Sequence, residues 1–300
     1  MKNLINKLVL GTVQLGLDYG INNSSGRPFR EEALMMLDWA YEKGITVFDT
    51  ADSYGQAEEI LGEFVRSRNL SGEIKIVTKF KPNLEVKNSL EKTMADQLRQ
   101  SLKRLNSDYA AGYLLHDPGL IGKETIIKVM RGLKKAGLAK NIGVSIYEVE
   151  DAIYAAEHKG IDYIQVPYNI LDQRLDKTDF FKLAEANGVT VFARSAFLQG
   201  LFFMPEEKIP ASLAKVKIYL KELDRIIKKY GLSRLEAALM FSLNNDNIDY
   251  VVVGADNIRQ LKEIIGLAAK QNDNPDCRRE LKEQFNSVEK YIISPSLWKK

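Results

Sequence analysis

Eight short apolar runs rich in β-branched residues recur along the chain, at residues 7–10, 45–48, 74–78, 109–115, 141–144, 163–166, 189–193 and 250–253. Stretches with helical periodicity lie between them, as in Ala33, Leu34, Leu37, Ala40 and Tyr41, or Leu90, Met94, Leu98, Ser101 and Leu102. A short run that is apolar on both faces suits a buried parallel strand, and an amphipathic stretch suits a helix that covers it. Several stretches end as helices do, in Lys43-Gly44, Lys135-Ala136-Gly137, Lys159-Gly160 and Asn187-Gly188. Eight such units give either a closed (β/α)8 TIM barrel or an open doubly wound sheet. No G-x-G-x-x-G follows the first run, and polar residues follow many runs rather than one. Both observations favour the α/β barrel, and 300 residues suit one such domain spanning 1–300. Gly11 and Gly16 have P-loop spacing, but Leu17-Asp18 follow where Lys and Ser or Thr are needed. Residues 211–230 and 233–244 read as two extra helices before the last strand, 276–291 as a C-terminal helix, and 199–210 as a long loop.

Composition removes several function classes. Forty-three basic and 40 acidic residues are interspersed and leave a net charge of +3, which is no nucleic-acid footprint. One cysteine, Cys277, rules out an intramolecular disulfide, and its polar neighbours suggest an inert exposed thiol. Two histidines, His116 and His158, argue against a zinc-type metal site. Residues 1–7 lack an apolar signal core, and no run approaches the roughly 18 apolar residues that span a bilayer. The expectation is a soluble cytoplasmic protein without membrane or nucleic-acid partners, and no feature specifies an oligomeric state.

The chemistry concentrates where runs stop. Phe48-Asp49-Thr50-Ala51-Asp52-Ser53-Tyr54-Gly55 passes from an apolar strand into a carboxylate, hydroxyls and a phenol. The next run reaches Thr78-Lys79, and the one after ends Leu114-Leu115-His116. In a barrel the C-terminal strand ends converge, so Asp49, Tyr54, Lys79 and His116 can meet. Their types explain one another: Asp49 keeps Lys79 charged, Lys79 lowers the Tyr54 pKa for proton donation, and His116 orients a carbonyl. Alternatively, Lys79 forms a Schiff base in a lyase or isomerase.

In these segments and their order the chain resembles the aldo-keto reductases, from Leu10-Gly11-Thr12 to Gly254-Ala255 and beyond. The resemblance implies a (β/α)8 barrel that binds NADP(H) or NAD(H) without a Rossmann domain. It also implies hydride transfer to or from a carbonyl, with tyrosine as proton donor and Asp49, Tyr54, Lys79 and His116 as the catalytic set. Carried over by position, cofactor contacts fall on Gly11, Thr12, Asp49, Ser145, Gln165, Arg194, Ser195, Phe197, Gly200, Gly254, Ala255, Asn257, Gln260 and Glu263. Ile146 stands where an asparagine usually follows the serine, and Arg194 takes the place of an aromatic residue that stacks on nicotinamide. Asp256 replaces a basic residue at the 2′-phosphate end, with Arg259 one position away and Ile264 in place of an adenine-binding asparagine, which opens the door to NAD(H). The implied substrate is a small-molecule aldehyde, ketone or sugar. An NAD-dependent aldose dehydrogenase and a nicotinamide-binding regulatory subunit remain alternatives. Asp18, Tyr19 and Asn22 suit a polyhydroxylated substrate.

Overall fold

The computed structural model describes residues 3–82 and 90–298. Eight strands, β1 (Leu8–Gly11), β2 (Val47–Asp49), β3 (Lys75–Phe80), β4 (Gly112–Leu115), β5 (Ile142–Ser145), β6 (Tyr163–Pro167), β7 (Thr190–Arg194) and β8 (Tyr250–Val253), close into a barrel. Each pairs with its sequence neighbours in parallel, and β8 returns to β1. The surrounding helices, in chain order, are α1 (Val13–Gly16), α2 (Arg30–Glu42), α3 (Ala57–Ser67), α4 (Leu90–Leu105), α5 (Glu124–Lys135), α6 (Val149–Glu157) and α7 (Phe180–Ala186). They continue as α8 (Val216–Lys229), α9 (Arg234–Leu243), α10 (Ile258–Lys270), α11 (Pro275–Gln284) and α12 (Lys290–Ile293). Among the described residues, no helix is long and apolar enough to cross a membrane.

Two apolar layers hold the barrel. Strand residues facing outward, such as Leu8, Leu10, Phe48, Ile76, Tyr113 and Leu115, join the helices in one large core. A smaller cluster, Val9, Val47, Val77, Leu114 and Phe192 with Tyr163, Tyr250 and Val252 against it, fills the interior. Within it, Phe192 stacks on Tyr250 with ring centroids 4.8 Å apart. Because strand side chains alternate, the residue two places beyond each interior residue also faces inward, one layer higher. This rule carries Val9 to Gly11, Val47 to Asp49, Val77 to Lys79, Leu114 to His116, Tyr163 to Gln165, Phe192 to Arg194 and Val252 to Gly254. The polar layer therefore sits directly on the interior core.

Several boundaries differ from the sequence expectation. Strand β3 runs on to Phe80, with Lys79 opposite Leu114, so the lysine lies inside the strand. A charged residue is tolerated there because Asp49 meets it within the barrel. Strand β4 begins only at Gly112, and Ala110 makes one isolated bridge to Ala139. The expected helix over 276–291 is broken into α11 and α12. Phe285, 1% exposed, turns into the core at the end of α11, and Ile292 and Ile293 are buried from α12. Cys277 is likewise buried, at 2% exposure, correcting the exposed thiol: it lies one turn before Leu281 on the inner face of α11. The 199–210 segment is not a bare loop but two 3-10 turns, Leu198–Phe203 and Glu206–Lys208, the first with left-handed Gln199 and Gly200.

Candidate active site

The upper layer forms the floor of a cavity of about 610 Å³ whose lining includes Gly11, Asp49, Tyr54, His116, Ser145, Gln165, Arg194 and Gly254. Lys79 lies beneath this floor, with its side chain fully inaccessible. Its Nζ donates to Asp49 Oδ2 at 2.6 Å and to the Thr50 carbonyl at 2.9 Å. Asp49 Oδ1 accepts from Gln165 Nε2 at 2.7 Å, and Ser145 Oγ donates to Gln165 Oε1 at 3.4 Å. A single chain of polar contacts thus runs from β3 through β2 and β6 to β5. Burial pushes the Lys79 ammonium below its ordinary pKa, while the adjoining Asp49 carboxylate pulls the other way. Of the two, the 2.6 Å contact decides for the charged pair, because either partner alone would be an uncompensated buried charge.

Tyr54 stands in the cavity wall with its ring 5.0 Å from Lys79 Nζ. Glycines set its backbone: a Cβ on Gly16 would come within 1.8 Å of the Tyr54 carbonyl oxygen, and Gly55 has φ +56°. Burial and then Asp49 push the phenol above its ordinary pKa of 10, with Arg194 opposing them. The lowering expected from Lys79 is thus not found, and the phenol is protonated at neutral pH. The His116 ring meets that of Tyr54 edge to face at 5.8 Å, and Ser53 Oγ lies 3.4 Å from His116 Nδ1. Burial, then Lys79 and Arg194, lower the His116 pKa from 6.5 to about 3. A neutral imidazole results, able to donate one N–H without carrying charge.

Arg194 extends from the end of β7. Its Nη2 donates to the Ile146 carbonyl at 2.7 Å, its Nη1 to Ser195 Oγ at 3.2 Å, and its guanidinium lies 4.5 Å from the Tyr147 ring centre. Beyond it Ser195, Phe197 and Gly200 line the cavity, as do Asp256, Gln260, Glu263 and Ile264 at the far end. The Gln260 amide closes on Asp256, accepting from the Asp256 N–H at 2.9 Å and donating to Oδ2 at 3.3 Å. Thr12, Ala255 and Asn257 fall behind the lining. The Thr12 hydroxyl donates to the Asp49 carbonyl at 3.1 Å, Ala255 is buried, and Asn257 caps α10 by accepting from the Gln260 N–H at 3.0 Å. Arg259 is exposed, and Lys262 lies over Trp39, 4.7 Å from the ring centre.

Other lining residues were not singled out from sequence: Gln14, Tyr147, Glu148 and Arg174. They follow strands by one to several residues, or sit in loops, where no period marks which way a side chain turns. The aromatic pair divides, with Phe203 on the lining and Phe202 buried. Tyr19 and Asn22 also line the cavity, whereas Asp18 turns back to accept from the Arg27 N–H at 3.0 Å.

A cavity of this volume, lined by amides, hydroxyls and a guanidinium, can accept a nicotinamide nucleotide. Two buried polar atoms on lining residues, Gln14 Oε1 and Arg194 Nε, have no hydrogen-bond partner among the described residues.

Known proteins share this architecture. A solved structure from Bacillus halodurans, the aldo-keto reductase AKR11C1 in its holo form, superposes with a TM-score of 0.75 at 23% identity, covering 92% of this chain and 91% of that one. The aldo-keto reductase YhdN of Bacillus subtilis (strain 168) is 28% identical over 264 residues, 79% of this chain and 80% of that protein. The L-glyceraldehyde 3-phosphate reductase of Escherichia coli (strain K12) is 25% identical over 269 residues, 78% of each. The sequence profile described as the Aldo/keto reductase family matches residues 7–279. With that match over nearly its whole length, the chain belongs to the aldo/keto reductase family, a class of oxidoreductases.

Proposed function

We propose that this protein is a single-domain cytoplasmic NAD(P)(H)-dependent reductase of a small-molecule aldehyde, ketone or sugar carbonyl, with Tyr54 as the proton donor. One observation carries the reading: a protonated phenol and a neutral imidazole face the same cavity above a buried Asp49–Lys79 pair. A carbonyl oxygen seated between Tyr54 and His116 accepts a hydrogen bond from each, and Tyr54 gives up its proton as negative charge develops there. Lys79, 5.0 Å from the phenol ring, stabilises the phenolate, and Asp49 keeps Lys79 charged. Ser145 and Gln165 would hold the nicotinamide carboxamide, with Arg194 against the ring and Ser195, Phe197, Gly200, Gln260 and Glu263 along the rest of the cofactor. When bound, the dinucleotide supplies the hydride. The fully buried, ion-paired Lys79 is poorly placed for Schiff-base chemistry.

The test is Tyr54→Phe, which removes one oxygen. Turnover of an aldehyde with NADPH or NADH should fall by roughly 10²- to 10⁴-fold, while either cofactor still quenches protein fluorescence with unchanged affinity. Undiminished turnover overturns the assignment of Tyr54.

A further inference from the structure

Behind the end of β2, on the outer side of the barrel, lies a connected set of polar groups that the proposed chemistry does not use. Arg104 is the penultimate residue of α4, and α4 touches α3 closely there: a Cβ on Gly62 would stand 1.8 Å from the Arg104 carbonyl oxygen. Arg104 Nε donates to Glu58 Oε2 at 2.8 Å, and its Nη2 donates to Ser101 Oγ at 3.2 Å and to Asp52. The second oxygen of Glu58 accepts from Thr78 Oγ1 at 2.6 Å. Thr78 precedes Lys79 on β3 and faces outward where Lys79 faces in.

Glu58 is 1% exposed, and such a carboxylate needs a cation, which Arg104 supplies. That pair alone would satisfy the packing of α3 on α4. The bond to Asp52 is additional, and it lands midway between Asp49 and Tyr54. Thr50, at the start of the loop, is tied to β3, its N–H donating to the Val77 carbonyl at 2.8 Å and its carbonyl accepting from Lys79 Nζ at 2.9 Å. Beyond it the backbone ties are short-range turns, Tyr54 N–H to the Ala51 carbonyl at 3.0 Å and Ala57 N–H to the Tyr54 carbonyl at 3.1 Å. Immediately after Asp52 come Ser53, 3.4 Å from His116 Nδ1, and Tyr54, whose ring meets His116.

We infer that Arg104 is a positioning residue: anchored on Glu58, it clamps Asp52 and so fixes the loop that presents Ser53 and Tyr54 to His116. Its catalytic meaning rests on the reading of Tyr54 as the proton donor. Its structural content does not.

The chain has only two histidines, so the imidazole ¹⁵N spectrum reports His116 against His158 as an internal standard. The groups acting on His116 are Ser53, Tyr54, Lys79, Lys81 and Arg194. In the wild type the His116 ring should stay neutral to the lowest pH at which the protein remains folded. In Asp52→Ala its midpoint should rise by about one pH unit or more as the released loop admits water, with His158 unmoved. Loss of the Asp52 charge by itself lowers a histidine pKa, so a rise has the sign of loosening and not of electrostatics. Asp52→Asn loses the same charge but keeps an oxygen for Arg104 to hold, and it should restore the wild-type behaviour. A His116 midpoint that is unmoved or lowered in Asp52→Ala overturns the clamp, as does a joint shift of both histidines. The Tyr54→Phe assay separates the two readings: retained turnover there sinks the proton-donor role while the His116 response still decides the clamp.

Discussion

The two ends of the cavity are built on different principles. At the β2–β4 end, polar groups sit on strand residues one step above the interior core, and each is locked by buried partners: Lys79 by Asp49 and Thr50, Asp49 by Gln165. At the β8–α10 end, Asp256 and Gln260 are half-buried, bonded chiefly to each other, and Glu263 is exposed. Desolvation makes the first end intolerant of change, because a buried charge without its partner costs several kcal/mol. The second end faces water, which replaces lost partners at little cost.

The sharpest way to break that comparison is to remove one charge from each end. Lys79→Met leaves Asp49 as a buried carboxylate with no cation against it. It should destabilise the fold by about 3–5 kcal/mol in urea unfolding, and combining it with Asp49→Asn should recover much of the loss. Asp256→Ala should stay within about 0.5 kcal/mol of wild type, as surface changes do. Similar losses from the two single variants would show that burial does not distinguish the ends.

The same contrast explains what could be read from sequence. Asp49, Lys79 and His116 are legible as strand-end residues that a barrel brings together, whereas Ser145, Gln165 and Arg194 rest on the family resemblance; strand alternation in the fold accounts for all six facing inward. Lys79, expected at a strand end, lies within β3, since in sequence an apolar run stops at a charge that the fold neutralises from β2. Tyr147, which packs under the Arg194 guanidinium, and Gln14, whose side chain would collide with any Cβ at Gly254, were not legible. Their directions depend on loop conformation and on residues distant in sequence. Cys277 was misread from its polar neighbours, although its four-residue spacing to Leu281 marks the inner face of α11.

A smaller effect at the β2–β4 end is read through pH. The folded-state pKa of His116, about 3, lies below its ordinary 6.5. Between those values the unfolded chain binds a proton that the folded protein refuses, so stability increases with pH across this window. The contribution of His116 is complete above pH 6.5 and is lost as pH falls through 3, with a slope of at most about 1.4 kcal/mol per pH unit. His116→Asn should flatten the pH dependence of urea unfolding between pH 4 and 6 relative to wild type. An unchanged slope would mean that His116 titrates normally, and that the neutral imidazole assigned to carbonyl orientation is wrong.

The smallest expected effect concerns cofactor choice at the exposed end. On the proposed reading Asp256 approaches the adenosine ribose, where its negative charge opposes a 2′-phosphate and its oxygen accepts from a 2′-hydroxyl. Burial raises the Asp256 pKa and Gln260 lowers it, so the amide of Gln260 helps to keep the carboxylate ionised against desolvation. Asp256→Asn removes the charge but keeps an oxygen that can still accept. NADPH affinity should improve by about two- to tenfold, under 1.4 kcal/mol, while NADH affinity moves by less than about twofold. Fluorescence titration with both nucleotides measures the ratio directly. An unchanged ratio would place the 2′ position away from Asp256, and would leave exposed Arg259 as the residue to vary next at this end of the cavity.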